Sequence, residues 1–475
     1  MAYADLREYL AALEKRGKFH HVKAEVDKDW EIAAVCRRVF QKIPSAKRPV
    51  MLFDRVKGFS IPILVGSLGA SPEVYSIALQ CPVEEIGKRW EEAQLHPIKP
   101  VRVSNGPCKE KILKGEEADL TIFPHPIWTV EHDPGPYITA PCIVSKDPDT
   151  GITNVGTYRL QVKEKRKLGL WAAEAQHLSA HRRKHEAKKQ SMPVAVVLGA
   201  EPTIEMVSVT KFSPTIGEFD IAGGLRREAV PLVPCETVPL EVPASAEIVI
   251  EGEIPYGVRE PEGPFGEYTG YMGAGGDLPI IQVTCITHRN RPIYRAFFSQ
   301  MPPSESSCIR RTGWEQSMLK HLKGDLGLPV CDLHLPESSG AAGWMIVSIK
   351  KALPWQVKEV VHAAMGFASP FGKFIVVVDD DVDVRDHAQV EWAMSFHVQP
   401  EKDIDIVRGV KAIGLDPSQA PPDVPQGHPS RLTSSKAIID ATRKHAFPPL
   451  ALPPDGHLRT VDAQWEKYGL PPQEV

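Results

Sequence analysis

The segment Pro279–Phe298, PIIQVTCITHRNRPIYRAFF, decides how the middle of this chain is read. Two β-branched apolar runs flank the polar stretch His288–Arg291, the pattern of a strand, a turn and a second strand in a hairpin. Working outward, similar runs recur at Thr139–Val144 (TAPCIV), Val194–Gly199 (VAVVLG) and Ala246–Ile254 (AEIVIEGEI). One strong helical pattern interrupts them, at Ala173–Lys188, rich in alanine, lysine and histidine. Strands at this density across 137–300 point to a barrel or sandwich.

The flanks follow different periods. Leu6, Leu10 and Leu13 fall at helical spacing, predicting a helix over Ala4–Arg16 with Asp5 and Glu8 at its start. A second helix is expected at Trp30–Gln41 and a strand at Ser60–Gly66. Beyond 300, a helix is predicted at Trp314–Gly324, then the strand Trp344–Ile349, a helix opened by Pro354 over Trp355–Met365, and the apolar strand Phe374–Val378. That alternation marks a mostly parallel α/β unit. A proline-rich tail follows Pro417, with one helical piece expected near Ser435–Arg443. The division is therefore an N-terminal α/β region at 1–115, a strand-rich domain at 116–303 and a C-terminal α/β domain at 304–475.

Bulk composition narrows the class. Basic residues number 56 and acidic ones 60, a net charge of −4, which gives no electrostatic footing for nucleic acid or an anionic membrane. The eight cysteines are scattered without a CxxC pair, so reduced thiols and a cytoplasmic setting are expected. The amphipathic start lacks the apolar centre of a secretory signal, and no uncharged run reaches the roughly 18 residues needed to span a bilayer.

Four places carry candidate chemistry. In Arg259–Tyr271, REPEGPFGEYTGY, Glu262 and Glu267 are separated by two glycines and a proline. A tight turn there brings both carboxylates into one cavity, where only one ionises easily and the other can donate a proton. A surface turn with two solvated glutamates is the competing reading. In Gly151–Gln161, a turn leads into a strand with Val155, Thr157 and Arg159 on one face and Asn154, Gly156 and Tyr158 on the other. Gly156 would permit close backbone approach to a ligand, Asn154 offers an amide oxygen, and Arg159 a fork for a carboxylate or phosphate. His177 and His181 share a helical face but lack the glutamate of HExxH, and for His181 and His185 a solvated basic helix is the preferred reading. Glu218 follows Gly217 at a turn. Asp379–Asp381, at a strand's carboxyl end, suit either a cation or a loop-capping role, and Arg310–Arg311 are a candidate anion contact.

In order along the chain, DLREYL (5–10), FDRVKGF (53–59), TNVGTYRLQV (153–162), EGPFGEYTGY (262–271), VVVDDDVDVRD (376–386), VEWAMSFHVQPEKD (390–403) and SSKAIIDATR (434–443) resemble the UbiD family of prenylated-FMN-dependent decarboxylases. The resemblance covers nearly the whole chain and is closest to the aryl and hydroxyaryl acid branch, with its 4-hydroxybenzoate and vanillate decarboxylases. It implies a central split β-barrel of the flavin-reductase kind within an α+β, multidomain chain, the C-terminal α/β domain serving oligomerisation as a homodimer or homohexamer.

For the site, the resemblance implies Asn154, His177 and Glu218 as ligands of Mn2+ or Mg2+ beside the flavin phosphate, a largely hard donor set. It also implies K+ held by Glu218 and backbone carbonyls near Val207–Thr210. Gly156, Thr157, Tyr158, Gln176 and Ser208 are expected around the cofactor, with Lys373 at its phosphate. The catalytic network maps onto Arg159, Glu262 and Glu267, with Glu267 as proton donor. The implied reaction is reversible, non-oxidative decarboxylation of an aromatic acid through a covalent adduct with prenylated FMN, the cofactor being supplied by a flavin prenyltransferase. Cycloaddition to an acrylic-type acid, a metal-dependent hydrolase using Asn154, His177 and Glu218, and a non-catalytic flavin-binding subunit are the alternatives. The segments Pro124–Tyr137 and Gln300–Arg311 are expected to line the substrate pocket.

Overall fold

A computed structural model describes residues 2–368, 370–421, 423–424 and 429–471. The first helix, Leu6–Lys15, starts where Asp5 accepts a hydrogen bond from the Glu8 backbone N–H, and buries Leu6, Tyr9, Leu10 and Leu13. The second, Glu31–Lys42, buries Ile32, Ala33, Cys36 and Phe40. Between and after them run the strands Phe19–Val26, Val50–Val56 and Ile63–Val65, the first three members of a four-stranded sheet.

The fourth member corrects the hairpin expected around His288–Arg291. Gly276–His288 is a long strand of the central sheet, but the next strand, Tyr294–Arg295, pairs in parallel with Ile63–Val65 in the N-terminal sheet. The reason is Arg295. Fully buried, it donates from Nε to Glu205 at 3.1 Å and from Nη2 to Glu305 at 2.5 Å, and both acids lie outside the central sheet. Glu305 also accepts from the Gly66 and Leu68 backbone, locking three parts of the chain together.

The central sheet is antiparallel. Its path runs Tyr137–Ile138, Leu160–Glu164, Lys167–Leu170, Gly276–His288, Ile248–Ile254, Met192–Leu198, Cys142–Lys146 and Thr153–Thr157, with Arg259–Glu262 and Lys111–Lys114 branching from Gly276–His288. No strand pair joins the two ends of this path, so the sheet is not a closed barrel. It still has to curl. Thr157 and Leu160 lie six strand steps apart, about 29 Å if flat at ~4.8 Å per step, yet three residue steps span at most about 11 Å. The link Tyr158–Arg159 therefore crosses a seam between the sheet's two ends.

Three helices, not one, interrupt this region: His177–Ala187, Pro202–Ser208 and Glu218–Arg226. The last two are short and mostly buried, so they lack the amphipathic stripe that betrays a surface helix in sequence.

The C-terminal unit is a mixed five-stranded sheet in the order Val330–His334, Trp344–Ile349, Phe374–Asp379, Thr433–Ala441, Ile404–Lys411. Gln356–Phe367 and His387–His397 cover it, with apolar cores on both faces. Two expectations fail here. Ser435–Arg443 is not helical, because Ile438 and Ile439 point to opposite faces of a central strand and both are buried. The Trp314–Gly324 helix starts earlier, at Glu305, where Ser304 and Ser307 form a reciprocal cap, and its last turn is π-helical over Lys320–Asp325. Among the described residues no helix is long and apolar enough to cross a membrane.

Removing Arg295 would leave two buried carboxylates facing each other. Arg295→Ala is expected to cost about 3–5 kcal/mol of stability, read as a lower denaturant midpoint; an unchanged midpoint would show that the triad is not holding these layers.

Candidate active site

Two neighbouring sets of side chains form the site. The first starts on Thr153–Thr157, which pairs only with Cys142–Lys146 and so leaves one backbone edge free. Glu218, the first residue of its helix, reaches that edge and accepts from the Val155 N–H at 3.1 Å. A cavity of about 240 Å³ opens here, lined by Asn154, Gly156, Thr157, Tyr158, Gln176, His177, Ser208 and Glu218 among others. Because the cavity sits on a strand edge, it takes consecutive residues from both faces, which alternation alone would have separated.

The donors fit a hard cation. Glu218 is buried and its carboxyl is pushed up to about 7 by burial. His177 Nδ1 lies 3.7 Å from Glu218, and burial, reinforced by Lys211, lowers the imidazole's pKa and favours the neutral form that ligates metals. The Asn154 Nδ2 is buried without a partner. Among the described residues no three His, Cys, Asp or Glu side chains are placed to hold a metal; beside His177 and Glu218 this cavity offers the amide of Asn154.

Several roles differ from the sequence reading. Gly156 is required because the Tyr158 ring folds back over it: a Cβ there would lie 2.3 Å from Tyr158 Oη. Gln176 spends its Oε1 on the Ala173 N–H at 2.7 Å. Ser208 Oγ meets Thr157 Oγ1 at 2.8 Å, joining the Pro202–Ser208 helix to the strand. Lys373 does not line this cavity; its ammonium contacts Asp416 and Ser418 in the C-terminal unit. Lys211 does line it and was missed, since a lone lysine after a helix carries no motif.

The second set is centred on Arg159, at the seam. Its Nε and Nη2 donate to the two oxygens of Glu262 at 3.1 and 3.0 Å, and its Nη1 donates to Glu267 at 2.5 Å. The guanidinium lies 5.0 Å from the Trp171 ring centre and 5.3 Å from that of Phe265, aromatic faces that exclude water. The turn that brings the acids together needs Gly263: its φ is +78°, and a Cβ would meet Gly275 Cα at 2.8 Å. Burial raises the Glu267 carboxyl to about 7 despite the opposing pull of Arg159, with Glu262 adding to the rise. The surface-turn reading of these glutamates is thus overturned: Glu262 is 1% exposed.

Other candidates fall away from the site. His181 is buried against Ser145 at 3.0 Å. Asp379 and Asp381 bind Arg443 at 3.0 and 2.6 Å, as a loop-fastening pair. Arg311 pairs with Glu337 at 2.9 Å; Arg310, by contrast, stays beside the second set, 4.0 Å over the ring of Tyr268, the residue after Glu267.

Comparison with known proteins agrees along the chain. Residues 10–94, 99–302 and 313–441 match the N-terminal, Rift-related and C-terminal domains of 3-octaprenyl-4-hydroxybenzoate carboxy-lyase, in that order. The chain belongs to the UbiD family. It is accordingly a carboxy-lyase by family. Among solved structures, the UbiD-class enzyme HmfF from Pelotomaculum thermopropionicum, in complex with prFMN, is 33% identical with a TM-score of 0.81, covering 95% of this chain and 97% of its own. The 3,4-dihydroxybenzoic acid decarboxylase AroY of Klebsiella pneumoniae is 27% identical with a TM-score of 0.83, covering 96% and 99%. Vanillic acid decarboxylase of Sedimentibacter hydroxybenzoicus is 28% identical with a TM-score of 0.78, covering 98% and 99%.

Glu218→Gln removes the carboxylate from the first set. Its Mn2+ affinity, measured by titration with FMN present, is expected to fall by at least about ten-fold; equal affinity in the variant would remove Glu218 from the metal site.

Proposed function

We propose that this UbiD protein decarboxylates an aromatic, hydroxyaryl or heteroaryl, carboxylic acid, using prenylated FMN whose phosphate end occupies the Asn154–Glu218 cavity. The reading rests on one observation: a guanidinium held between two buried acids, one of them in the protonation range of a general acid. The UbiD-class relatives named above support it: HmfF is in complex with prFMN, and the other two are decarboxylases of 3,4-dihydroxybenzoic and vanillic acid. The curled sheet with its open seam is consistent with a split barrel of the flavin-reductase kind.

Asn154, His177 and Glu218 would hold Mn2+ or Mg2+ against the flavin phosphate, with Lys211 adding positive charge, Lys373 a further contact if it leaves Asp416, and K+ on the carbonyls near Val207–Thr210. When bound, prenylated FMN supplies an electrophilic carbon that takes up the electron pair of the breaking C–CO2 bond.

The chain's own groups do the rest. Two of Arg159's donors are committed to Glu262, which fixes the plane of the guanidinium. The remaining Nη1 serves Glu267 and is free to share with the substrate carboxylate when Glu267 is protonated. Loss of CO2 leaves the carbon that bore the carboxylate in need of a proton, to be added as the electron pair returns to it, and Glu267 delivers that proton. Its side chain is 16% exposed, which gives water a route to reprotonate it, while Glu262 is sealed. One proton is consumed per CO2 released. The C-terminal unit is assigned to homodimer or homohexamer assembly, and a flavin prenyltransferase to cofactor supply.

A donor whose pKa is raised to about 7 is protonated below that pH and deprotonated above it. The turnover number for decarboxylation should therefore decline as pH rises through about 7. Glu267→Gln, with no titrating proton, should retain flavin absorbance and lose turnover; substantial remaining turnover assigns the donor elsewhere. His177→Ala should lose metal and flavin together, and unchanged flavin content would refute the metal anchor. The substrate class is tested by measuring CO2 release from panels of aryl, heteroaryl and acrylic acids. The protein should be co-produced with the prenyltransferase and kept free of oxygen; release from acrylic acids alone would overturn the aromatic assignment.

A further inference from the structure

Six arginines are buried among the described residues: Arg48, Arg89, Arg159, Arg182, Arg226 and Arg295. Four of them are neutralised by carboxylates, Arg48 by Glu337, Arg159 by Glu262 and Glu267, Arg182 by Glu174 and Glu186, and Arg295 by Glu205 and Glu305. The other two, Arg89 and Arg226, form no ion pair and are each 9% exposed. Both line the same cavity, a cleft of about 630 Å³ separate from the active site.

Their remaining bonds do not cancel the charge. One Nη of Arg89 donates to the Leu225 carbonyl, and one Nη of Arg226 donates to the Tyr3 carbonyl at 3.3 Å. The Nε of each is buried without any partner. Glu201, buried, lines a small cavity together with both arginines, and Arg226 opposes the rise that burial imposes on its carboxyl; it forms no ion pair with either, its oxygens being engaged by Thr203. Acids do line the cavity, but Glu85 and Glu228 are exposed rim residues, and Glu92 is taken by Arg227 at 3.1 Å. Rim charges are screened by water, and one buried carboxylate set against two buried guanidiniums leaves a positive charge that is costly. An anion between them removes that cost, and planar guanidinium forks match the oxygen geometry of phosphate.

We propose that this cleft is a second binding site, for a small phosphate-type oxyanion held between Arg89 and Arg226. Exposed Lys88 lies on the same rim and adds to the attraction. The site stands independently of the decarboxylase reading, because none of its residues belongs to the Arg159 network or to the Asn154–Glu218 cavity.

Inorganic phosphate titrated into the full-length protein with saturating FMN, which occupies the flavin phosphate position, should give saturable binding by calorimetry. Sodium chloride at equal ionic strength should not reproduce it. Arg89→Gln should weaken binding at least ten-fold. Arg227→Gln, a rim change at a residue already paired with Glu92, should leave affinity within two-fold. If Arg89→Gln does not fold, a crystal of the wild-type protein soaked in phosphate decides the matter. Tetrahedral density between the two guanidiniums supports the site. Water alone there, a carboxylate of a second copy seated there, no saturable binding, or equal affinity in Arg89→Gln would each overturn it.

Discussion

Arg159 sits where the central sheet fails to close, and that position governs the chemistry around it. The two residues Tyr158 and Arg159 bridge the ends of an open strand path, so the guanidinium projects into a seam rather than into a filled barrel core. A charge there is costly unless paired, and the Gly263 turn delivers Glu262 and Glu267 to pair it. The pairing is unequal. Glu262 takes two donors and is sealed; Glu267 takes one and keeps an opening to solvent. Inequality of that kind separates an anchor from a proton carrier, since the group with fewer stabilising bonds is the one whose proton burial retains.

The same logic, buried acid against buried guanidinium, recurs away from the site as scaffolding. Arg295 with Glu205 and Glu305 ties the N-terminal sheet, the Pro202–Ser208 helix and the Glu305–Leu319 helix into one body. The Pro202–Ser208 helix ends in the Asn154–Glu218 cavity through Ser208, so this distant triad also holds a wall of the site in place. Arg48 and Arg311 on Glu337 make a corresponding joint between the N-terminal region and the start of the C-terminal unit. Against that habit, the unpaired Arg89 and Arg226 stand out as the exception that calls for an external anion.

The free edge of Thr153–Thr157 supplies the other half of the site. An edge strand presents backbone donors that nothing in the sheet uses, and Glu218 occupies one of them. Ligand-bearing residues can therefore come from consecutive positions, and helices as short as Glu218–Arg226 suffice to bring in the remaining donors.

Period and motif determined a good deal on their own. The Leu6, Leu10, Leu13 stripe, the strand Trp344–Ile349 and the pairing of Glu262 with Glu267 across two glycines depend on local spacing, and local spacing is visible in sequence. Asn154 and Arg159 lie in one of the ordered motifs that mark the family, whereas His177 and Glu218 were expected only from the resemblance as a whole. Long-range contacts were not visible. Tyr294–Arg295 left its apparent hairpin because two acids elsewhere in the fold neutralise Arg295, and Thr433–Ala441 became a strand because neighbours on both faces bury Ile438 and Ile439. Neither Lys211 in the cavity nor the lack of an ion pair at Arg89 and Arg226 has a local signature. Charge compensation is settled by which groups meet in space, and only the folded chain brings them together.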